Sequence, residues 1–288
     1  MTVQSRPVTF TGASGNKLAG EVTGEAGAPV LLLHGGGQTR HAWRKTNEVI
    51  AKLGRVAYAI DQRGHGDSEW VADGAYDFAD FAADAVALAD ALAQRTGMRP
   101  AVVGASLGGI ASMLAEGRNS NTFSAVVLVD ITPRVDLDGV AKVQGFMRSH
   151  AQEGFVSVAE AAEAVAGYLP HRPRPRSNEG LKKNLRLHPD GRWRWHWDPR
   201  FLDGRRRVGV GGHEVEAMLV EAARQIKVPA LLVRGAASEL VQEKHAREFL
   251  ELVPHATYVD VSGARHMVAG DRNDQFADAI KSFLFRLS

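Results

Sequence analysis

The chain has 288 residues, 44% of them hydrophobic, and its 35 basic side chains nearly balance its 33 acidic ones. A chain of this length can bury a large core, and a balanced charge predicts neither nucleic acid nor a membrane surface as a partner. The absence of cysteine excludes disulfides, thiolate catalysis and cysteine-ligated zinc. Residues 1–12 lack the pattern of a signal peptide, and no apolar run approaches the roughly 18 residues of a membrane helix, so we expect a cytoplasmic protein.

Short apolar runs and helical patterns alternate along most of the chain. Residues 7–24 predict a hairpin with a Gly-Asn turn. Residues 77–95 predict an amphipathic helix, because apolar residues from Phe78 to Leu92 recur at three- and four-residue spacing. Six runs rich in Val, Leu or Ile and bounded by Gly, Pro or Asp predict buried parallel strands: 29–35, 55–61, 100–105, 124–130, 229–235 and 256–261. This alternation predicts a parallel sheet covered by helices.

One long segment interrupts this alternation. Residues 131–226 contain no convincing strand, and a segment of that length is usually functional or has structure of its own. Its part from 168 to 207 holds twelve lysines and arginines against four acidic residues. We therefore predict a mainly helical, basic cap at 131–226, inserted into a core domain formed by 1–130 and 227–288.

The stretch VVGASLGGI at 102–110 places a serine between glycines directly after an apolar run. Small residues at Gly104 and Gly108 are what a sharp strand-to-helix turn requires, and such a turn exposes the hydroxyl of Ser106 at a helix N-terminus. The pattern G-x-S-x-G in this context predicts that Ser106 is a nucleophile. The alternative is a tight turn in a binding protein.

Backbone N–H groups near this serine could stabilise an oxyanion. The stretch LLLHGGGQ at 31–38 ends a strand with three glycines, which lets the backbone approach a ligand closely. We predict an oxyanion hole formed by the N–H groups of Gly36 and Leu107, with Gly37 as the next candidate donor and a substrate contact. His34 is predicted to brace this loop, and DQRGHGDS at 61–68, which includes His65, is predicted to have a structural role.

A serine hydroxyl needs a base, and histidine has a suitable pKa. Among eleven histidines, His266 follows the last predicted strand and precedes the C-terminal helix, so we predict that it is the base. The cap histidines, His196 among them, are predicted to be surface or substrate-contacting groups. A carboxylate should orient the base, and two candidates end core strands: Asp130, which we favour, and Glu239.

Together, HGGGQ, DQRGHGDS, GASLGG and GARHM resemble the α/β-hydrolase fold family over nearly the whole chain. The resemblance implies a mostly parallel eight-stranded sheet flanked by helices, with a helical cap after the sixth strand. Ser106 and His266 match the positions of the family's nucleophile and base. Most members have an acid after the seventh strand, which matches Glu239, whereas some use the carboxylate after the sixth strand, which matches Asp130.

These residues predict a hydrolase that cleaves a small ester, lactone or amide through an acyl-enzyme. A carbon–carbon bond hydrolase of the ring-cleavage type and a small-molecule receptor with little turnover are the alternatives. We expect a small-molecule substrate and neither a cofactor nor a metal; the oligomeric state stays open, a homodimer included. Tyr168 and Trp195 are predicted to contact the substrate, and the basic cap would favour a carboxylate or flat apolar group unless its tryptophans only join cap to core.

Overall fold

The structure is a computed structural model that describes residues 4–205 and 212–287. Its strands are Ser5–Thr11 (β1), Lys17–Thr23 (β2), Pro29–Leu33 (β3), Val56–Ile60 (β4), Ala101–Ala105 (β5), Ala125–Val129 (β6), Leu185–Leu187 (β7), Trp193–Trp195 (β8), Ala230–Gly235 (β9) and Thr257–Val261 (β10). Its α-helices are Arg44–Lys52 (α1), Phe78–Thr96 (α2), Leu107–Arg118 (α3), Leu137–Ser149 (α4), Val158–Tyr168 (α5), Arg200–Asp203 (α6), His213–Arg224 (α7), Glu243–Leu252 (α8), Val268–Asp271 (α9) and Asn273–Phe285 (α10).

Eight strands of the described chain form one sheet in the order β1-β2-β4-β3-β5-β6-β9-β10. The pairs β1–β2 and β2–β4 are antiparallel, and every other neighbouring pair is parallel. Strands β3, β4 and β6 are buried along their whole length, which explains why they read as continuous apolar runs. The predicted α/β class, with helices over both faces of a mostly parallel sheet, is confirmed.

The helix predicted from apolar spacing at 77–95 is α2. It begins after Asp77, whose carboxylate accepts the N–H of Asp80 at 3.0 Å while Asp80 accepts the N–H of Asp77 at 3.0 Å. It ends where Gly97 adopts a φ of 75°, a left-handed conformation that glycine tolerates. Within the two ranges described, no helix is long and apolar enough to cross a membrane.

The chain between β6 and β9 differs from the predicted cap in two respects. It holds the helices α4, α5 and α6 but also an antiparallel hairpin, β7–β8, in which Leu187 lies opposite Trp193. Helix α7 lies within the predicted cap range, yet a Cβ on Gly117 of α3 would be 2.5 Å from the Cα of Ala222 in α7. Helix α7 therefore packs on the core layer. The division at 131 and 226 stays a prediction, and this packing favours an earlier end of the cap; Arg206 and Arg207 of the basic stretch lie outside the described residues.

Candidate active site

Ser106 occupies the sharp turn between β5 and α3, with φ of 47° and ψ of −111°. A non-glycine residue in this region is strained and persists only where the surrounding structure holds it. The glycines around it are required, because a Cβ on Gly104 would lie 2.4 Å from the carbonyl oxygen of Gly108, and one on Gly108 would lie 2.2 Å from that of Leu33. The turn thus holds the Ser106 hydroxyl at the carboxyl edge of the sheet.

His266 and Asp130, which are 136 residues apart in sequence, form a hydrogen-bonded pair. His266 Nδ1 donates to Asp130 Oδ2 at 2.7 Å, and Asp130 is fully buried at the end of β6. Because the carboxylate accepts at Nδ1, the other ring nitrogen, Nε2, is left as the base. No hydrogen bond joins Ser106 to His266 among the described residues, and such bonds often tighten only when substrate binds.

The second candidate acid, Glu239, is not paired with the histidine. Its Oε2 is buried and has no hydrogen-bond partner in the described part of the chain. Its neighbour Ser238 instead donates to Asp130 Oδ2 at 2.5 Å, and the N–H of Gly235 donates to Asp130 Oδ1 at 2.9 Å. The loop where Glu239 lies therefore helps to fix the carboxylate of Asp130.

The glycine-rich loop after β3 offers one unused N–H group. The N–H of Gly35 donates to Gln38 Oε1 at 3.1 Å, and the N–H of Gly37 donates to His65 Nε2 at 3.1 Å. Between them, Gly36 donates no hydrogen bond to any residue the structure describes, and the same holds for Leu107 at the start of α3. These two N–H groups are the pair predicted for an oxyanion hole.

A cavity of about 530 Å³ opens at this edge of the sheet, within the range of roughly 300–1,000 Å³ typical of small-molecule sites. Ser106, His266 and Gly36 all line it. So do the three residues predicted to contact the substrate: Gly37, Tyr168 and Trp195.

Comparison with known families identifies the fold family. The family model described as serine aminopeptidase, S33, matches residues 24–273. The chain is an α/β-hydrolase of this family. Relatives named as an esterase, a hydrolase and a lipase match over most of the chain, and the protein is a hydrolase.

Three relatives illustrate the range of this hydrolase family. The chain is 28% identical over 261 residues to the esterase Rv0045c of Mycobacterium tuberculosis, covering 88% of this chain and 82% of that one. The solved structure of that esterase matches with a TM-score of 0.78 at 27% identity, over 98% of this chain and 92% of the other. The chain is also 28% identical to the 2-(acetamidomethylene)succinate hydrolase of Mesorhizobium japonicum, over 78% and 77% of the two chains, and 28% identical to the mouse sn-1-specific diacylglycerol lipase ABHD11, over 93% and 84%.

The cap of this α/β-hydrolase contributes aromatic walls to the cavity. Of the three alternating tryptophans, Trp195 and Trp197 line the cavity, whereas Trp193 pairs with Phe155 in a β-bridge. Tyr168 stacks on Phe146, with ring centroids 4.1 Å apart. Burial raises the pKa of Tyr168 to about 12, so its hydroxyl is neutral at physiological pH.

Most arginines of the basic cap are bound by the protein itself. Arg172, which lines the cavity, donates to Asp271 at 2.5 Å and to the Met267 carbonyl at 3.2 Å. In the basic stretch 168–207, the other arginines with partners among the described residues are Arg174 with Glu163, Arg186 with Gly66, Arg192 with Glu153 and Gly154, Arg194 with Asp190, and Arg200 with Asp198. Lys183 also lines the cavity and forms no ion pair within 4–205 and 212–287.

Three buried histidines surround the glycine-rich loop. His34 and His65 were expected there, but the expectation that His196 is a surface or substrate-contacting group is wrong, because its exposed fraction is 2% and it does not line the cavity next to Ser106. Its position between two buried tryptophans, in WHW at 195–197, was the available signal. Burial lowers the pKa of His34 to about 4 and that of His65 to about 3, and burial together with the two neighbouring histidines lowers the pKa of His196 well below 6.5.

We expect stability to fall steeply as pH drops below 6.5. Each of these three histidines binds a proton in the unfolded chain near pH 6.5, whereas the folded protein keeps it neutral to a lower pH. Each histidine lowers the free energy of unfolding by about 1.4 kcal/mol per pH unit of acidification. Together the three should decrease it by up to about 4 kcal/mol between pH 6 and pH 5. His41 and His245, whose pKa values are also lowered by burial, add smaller effects in the same direction.

Urea unfolding at pH 7, 6 and 5 measures this dependence. The slope of the free energy of unfolding against pH gives the number of protons taken up on unfolding. We expect about three protons near pH 5.5, one from each of the three buried rings. A slope of one proton or fewer would mean that the folded protein protonates these histidines, which would contradict their hydrogen bonding.

Proposed function

We propose that this hydrolase cleaves an ester bond of a small molecule through an acyl-enzyme on Ser106. The observation that carries the proposal is the hydrogen bond from His266 Nδ1 to buried Asp130, because it leaves Nε2 as the base beside the cavity that Ser106 lines. The relatives named esterases support the same bond class.

The reaction begins when His266 Nε2 removes the proton of Ser106 Oγ, which attacks the carbonyl carbon of the ester. The resulting oxyanion accepts hydrogen bonds from the N–H groups of Gly36 and Leu107, each worth about 3 kcal/mol of the barrier. His266 then gives its proton to the leaving oxygen, and the alcohol departs. Water that loses a proton to His266 attacks the acyl group, and the acid is released as Ser106 regains its proton.

Asp130 stabilises the imidazolium that forms on His266 during both steps. Its two oxygens accept hydrogen bonds from Gly235, Ser238 and His266, so the carboxylate is held in one orientation. A fixed negative charge beside Nδ1 keeps the proton there and the base at Nε2.

The acyl group is proposed to be apolar. Aliphatic and aromatic side chains dominate the cavity wall, including Val140, Val143, Phe146, Trp195 and Leu240. Most of the cap arginines are engaged in bonds within the protein, so they favour a carboxylate-bearing substrate less than the sequence suggested.

For p-nitrophenyl esters, we expect kcat/KM to rise with acyl length until the cavity is filled. Each methylene buried contributes about 0.8 kcal/mol, which is roughly a fourfold gain per added carbon. Val143→Trp, which places a ring into the cavity, should move the optimum to shorter chains. Lys142→Trp, at the neighbouring exposed position of α4, should leave the optimum unchanged.

A flat dependence on acyl length in the wild type would contradict an apolar acyl site. A monoester of a dicarboxylic acid could instead be hydrolysed faster than the neutral ester of equal length. If salt reduced that rate advantage, the enzyme would prefer a carboxylate, with Lys183 as its binding partner. Rates are compared at 20 mM and 500 mM NaCl, and Lys183→Met should then remove the difference.

A second candidate is hydrolysis of an amide-type bond in a carboxylate-bearing substrate. The similarity to the 2-(acetamidomethylene)succinate hydrolase favours it, and so does Lys183 on the cavity wall, which has no ion-pair partner in the described part of the chain. Turnover of 2-(acetamidomethylene)succinate at a kcat/KM above that of every ester tested would select this candidate, and no turnover would eliminate it.

A further inference from the structure

The direction of the Gly36 N–H is fixed by the carbonyl that shares its peptide group. Because a peptide is planar and trans, the Gly35 carbonyl and the Gly36 N–H point in opposite directions. That carbonyl accepts a hydrogen bond from His34 Nδ1 at 2.8 Å and another from the N–H of Gln38 at 3.1 Å. His34 therefore acts on the first peptide of the loop.

Two more histidines hold the following residue, Gly37, from opposite sides. His65 Nε2 accepts its N–H at 3.1 Å, and His196 Nε2 donates to its carbonyl at 3.3 Å. The tautomer of His196 follows from its other nitrogen, because Nδ1 accepts the N–H of Gly66 at 2.6 Å. Gly37 has a φ of 75°, a conformation that other residues rarely adopt, and these two bonds maintain it.

His196 differs from the other two histidines because it comes from the cap, directly after β8. Its chain segment is tied to the core at several points: the N–H of Asp198 donates to the Gly64 carbonyl at 2.8 Å, and Tyr76 donates its hydroxyl proton to Asp198 at 2.7 Å. Trp70 Nε1 also donates to the His196 carbonyl at 3.3 Å. This part of the cap is therefore fixed against the core.

We propose that His196 is a positioning residue that couples the docking of the cap to the geometry of the oxyanion hole at Gly36. This proposal rests on the proposed function, because it takes the Gly36 N–H as an oxyanion donor. The cap then does more than line the cavity, because its segment around His196 also holds the glycine-rich loop in position.

The arrangement does not fit a metal site. Both ring nitrogens of His34, His65 and His196 are engaged with backbone groups, so no lone pair is available for an ion. No group of three or more histidine, aspartate or glutamate side chains in the described ranges could hold a metal.

Three substitutions separate positioning from general support of the fold. His196→Gln places an amide N–H near the position of Nε2 and can still donate to the Gly37 carbonyl, whereas His196→Asn places an amide oxygen near Nδ1 and can only accept from Gly66. His196→Phe keeps a ring and removes both bonds. His188→Phe is the control, because His188 lies in the turn of the same hairpin and away from the cavity lining.

We expect His196→Phe and His196→Asn to lower kcat for p-nitrophenyl esters at least about tenfold with KM nearly unchanged, because an oxyanion donor acts in the transition state. His196→Gln should stay within about threefold of the wild type, since it keeps the bond to Gly37. The Ki of an aryl trifluoromethyl ketone, which forms an oxyanion on the nucleophile, should rise by the factor by which kcat/KM falls. The inhibition constant of the product acid should not change.

Thermal unfolding shows whether each variant is folded at the assay temperature. Equal losses for His196→Gln and His196→Asn, or a fall in kcat/KM with no change in ketone affinity, would overturn the positioning role. So would a folded His196→Phe variant with wild-type kcat. If the wild type hydrolysed no ester of the series, or if Ser106→Ala kept the wild-type kcat, the proposed function itself would be refuted, which is a different result.

Discussion

Ser106→Ala is expected to lower kcat by at least about 10³-fold and to leave the fold intact. Without the hydroxyl no acyl-enzyme forms, and only the binding groups and the oxyanion donors remain. The fold should persist because the turn is held by main-chain bonds, such as the Ser106 N–H to the Val129 carbonyl at 3.1 Å, and by the close approach of Gly104 to Gly108. Steady-state kinetics and thermal unfolding measure the two effects.

A fluorophosphonate probe gives an independent measurement of the same residue. We expect peptide mapping to find the adduct on Ser106 in the wild type and no adduct in Ser106→Ala. Ser120→Ala, an exposed serine just after α3, is the matched control and should be labelled like the wild type. An adduct on another residue, or an alanine variant with undiminished kcat, would refute the nucleophile assignment.

Much of the site could be predicted because its residues follow strict local requirements. The turn at Ser106 excludes a Cβ at Gly104 and Gly108, so the glycine spacing carries the geometry in the sequence itself. Likewise, strands buried on both faces have to be apolar throughout, and the predicted runs match the observed strands to within one or two residues. Only β10, at the sheet edge, is not buried as predicted among these six strands.

The cap could not be predicted in the same way. Strands β7 and β8 have three residues each, and their charged side chains, such as Arg186 and Arg194, alternate with Leu187 and Trp193 over too short a length to give a clear period. The burial of His196 depends on where the cap docks, since its partners Gly37 and Gly66 are more than a hundred residues away. The flanking tryptophans indicate burial, but no local pattern identifies these distant partners.

The sequence also left open which of the two carboxylates orients His266, because that too depends on tertiary contacts. Asp130 and Glu239 both follow strands whose carboxyl ends meet at one edge of the sheet, so either could reach His266. The deciding features are tertiary: Asp130 has a φ of 49° and accepts hydrogen bonds from Gly235 and Ser238, which lie in the other candidate's loop.

Asp130→Asn is expected to lower kcat far more than Glu239→Gln. Its amide oxygen can still accept the N–H of Gly235, which leaves the amide nitrogen facing His266 Nδ1. An N–H at that position requires Nδ1 to be the acceptor, so the proton moves to Nε2 and the base is lost; such a wrong tautomer costs up to roughly 10⁴-fold in kcat.

Glu239→Gln is the matched control, because it removes a carboxylate from the neighbouring loop without touching His266, and we expect its kcat to stay within about threefold of the wild type. Both variants are compared by kcat on one ester and by thermal unfolding, which verifies that Asp130→Asn remains folded. The reverse ranking would assign the acid role to Glu239. Similar, modest losses in both variants would mean that neither carboxylate alone orients His266, and the mechanism proposed for Asp130 would then be wrong.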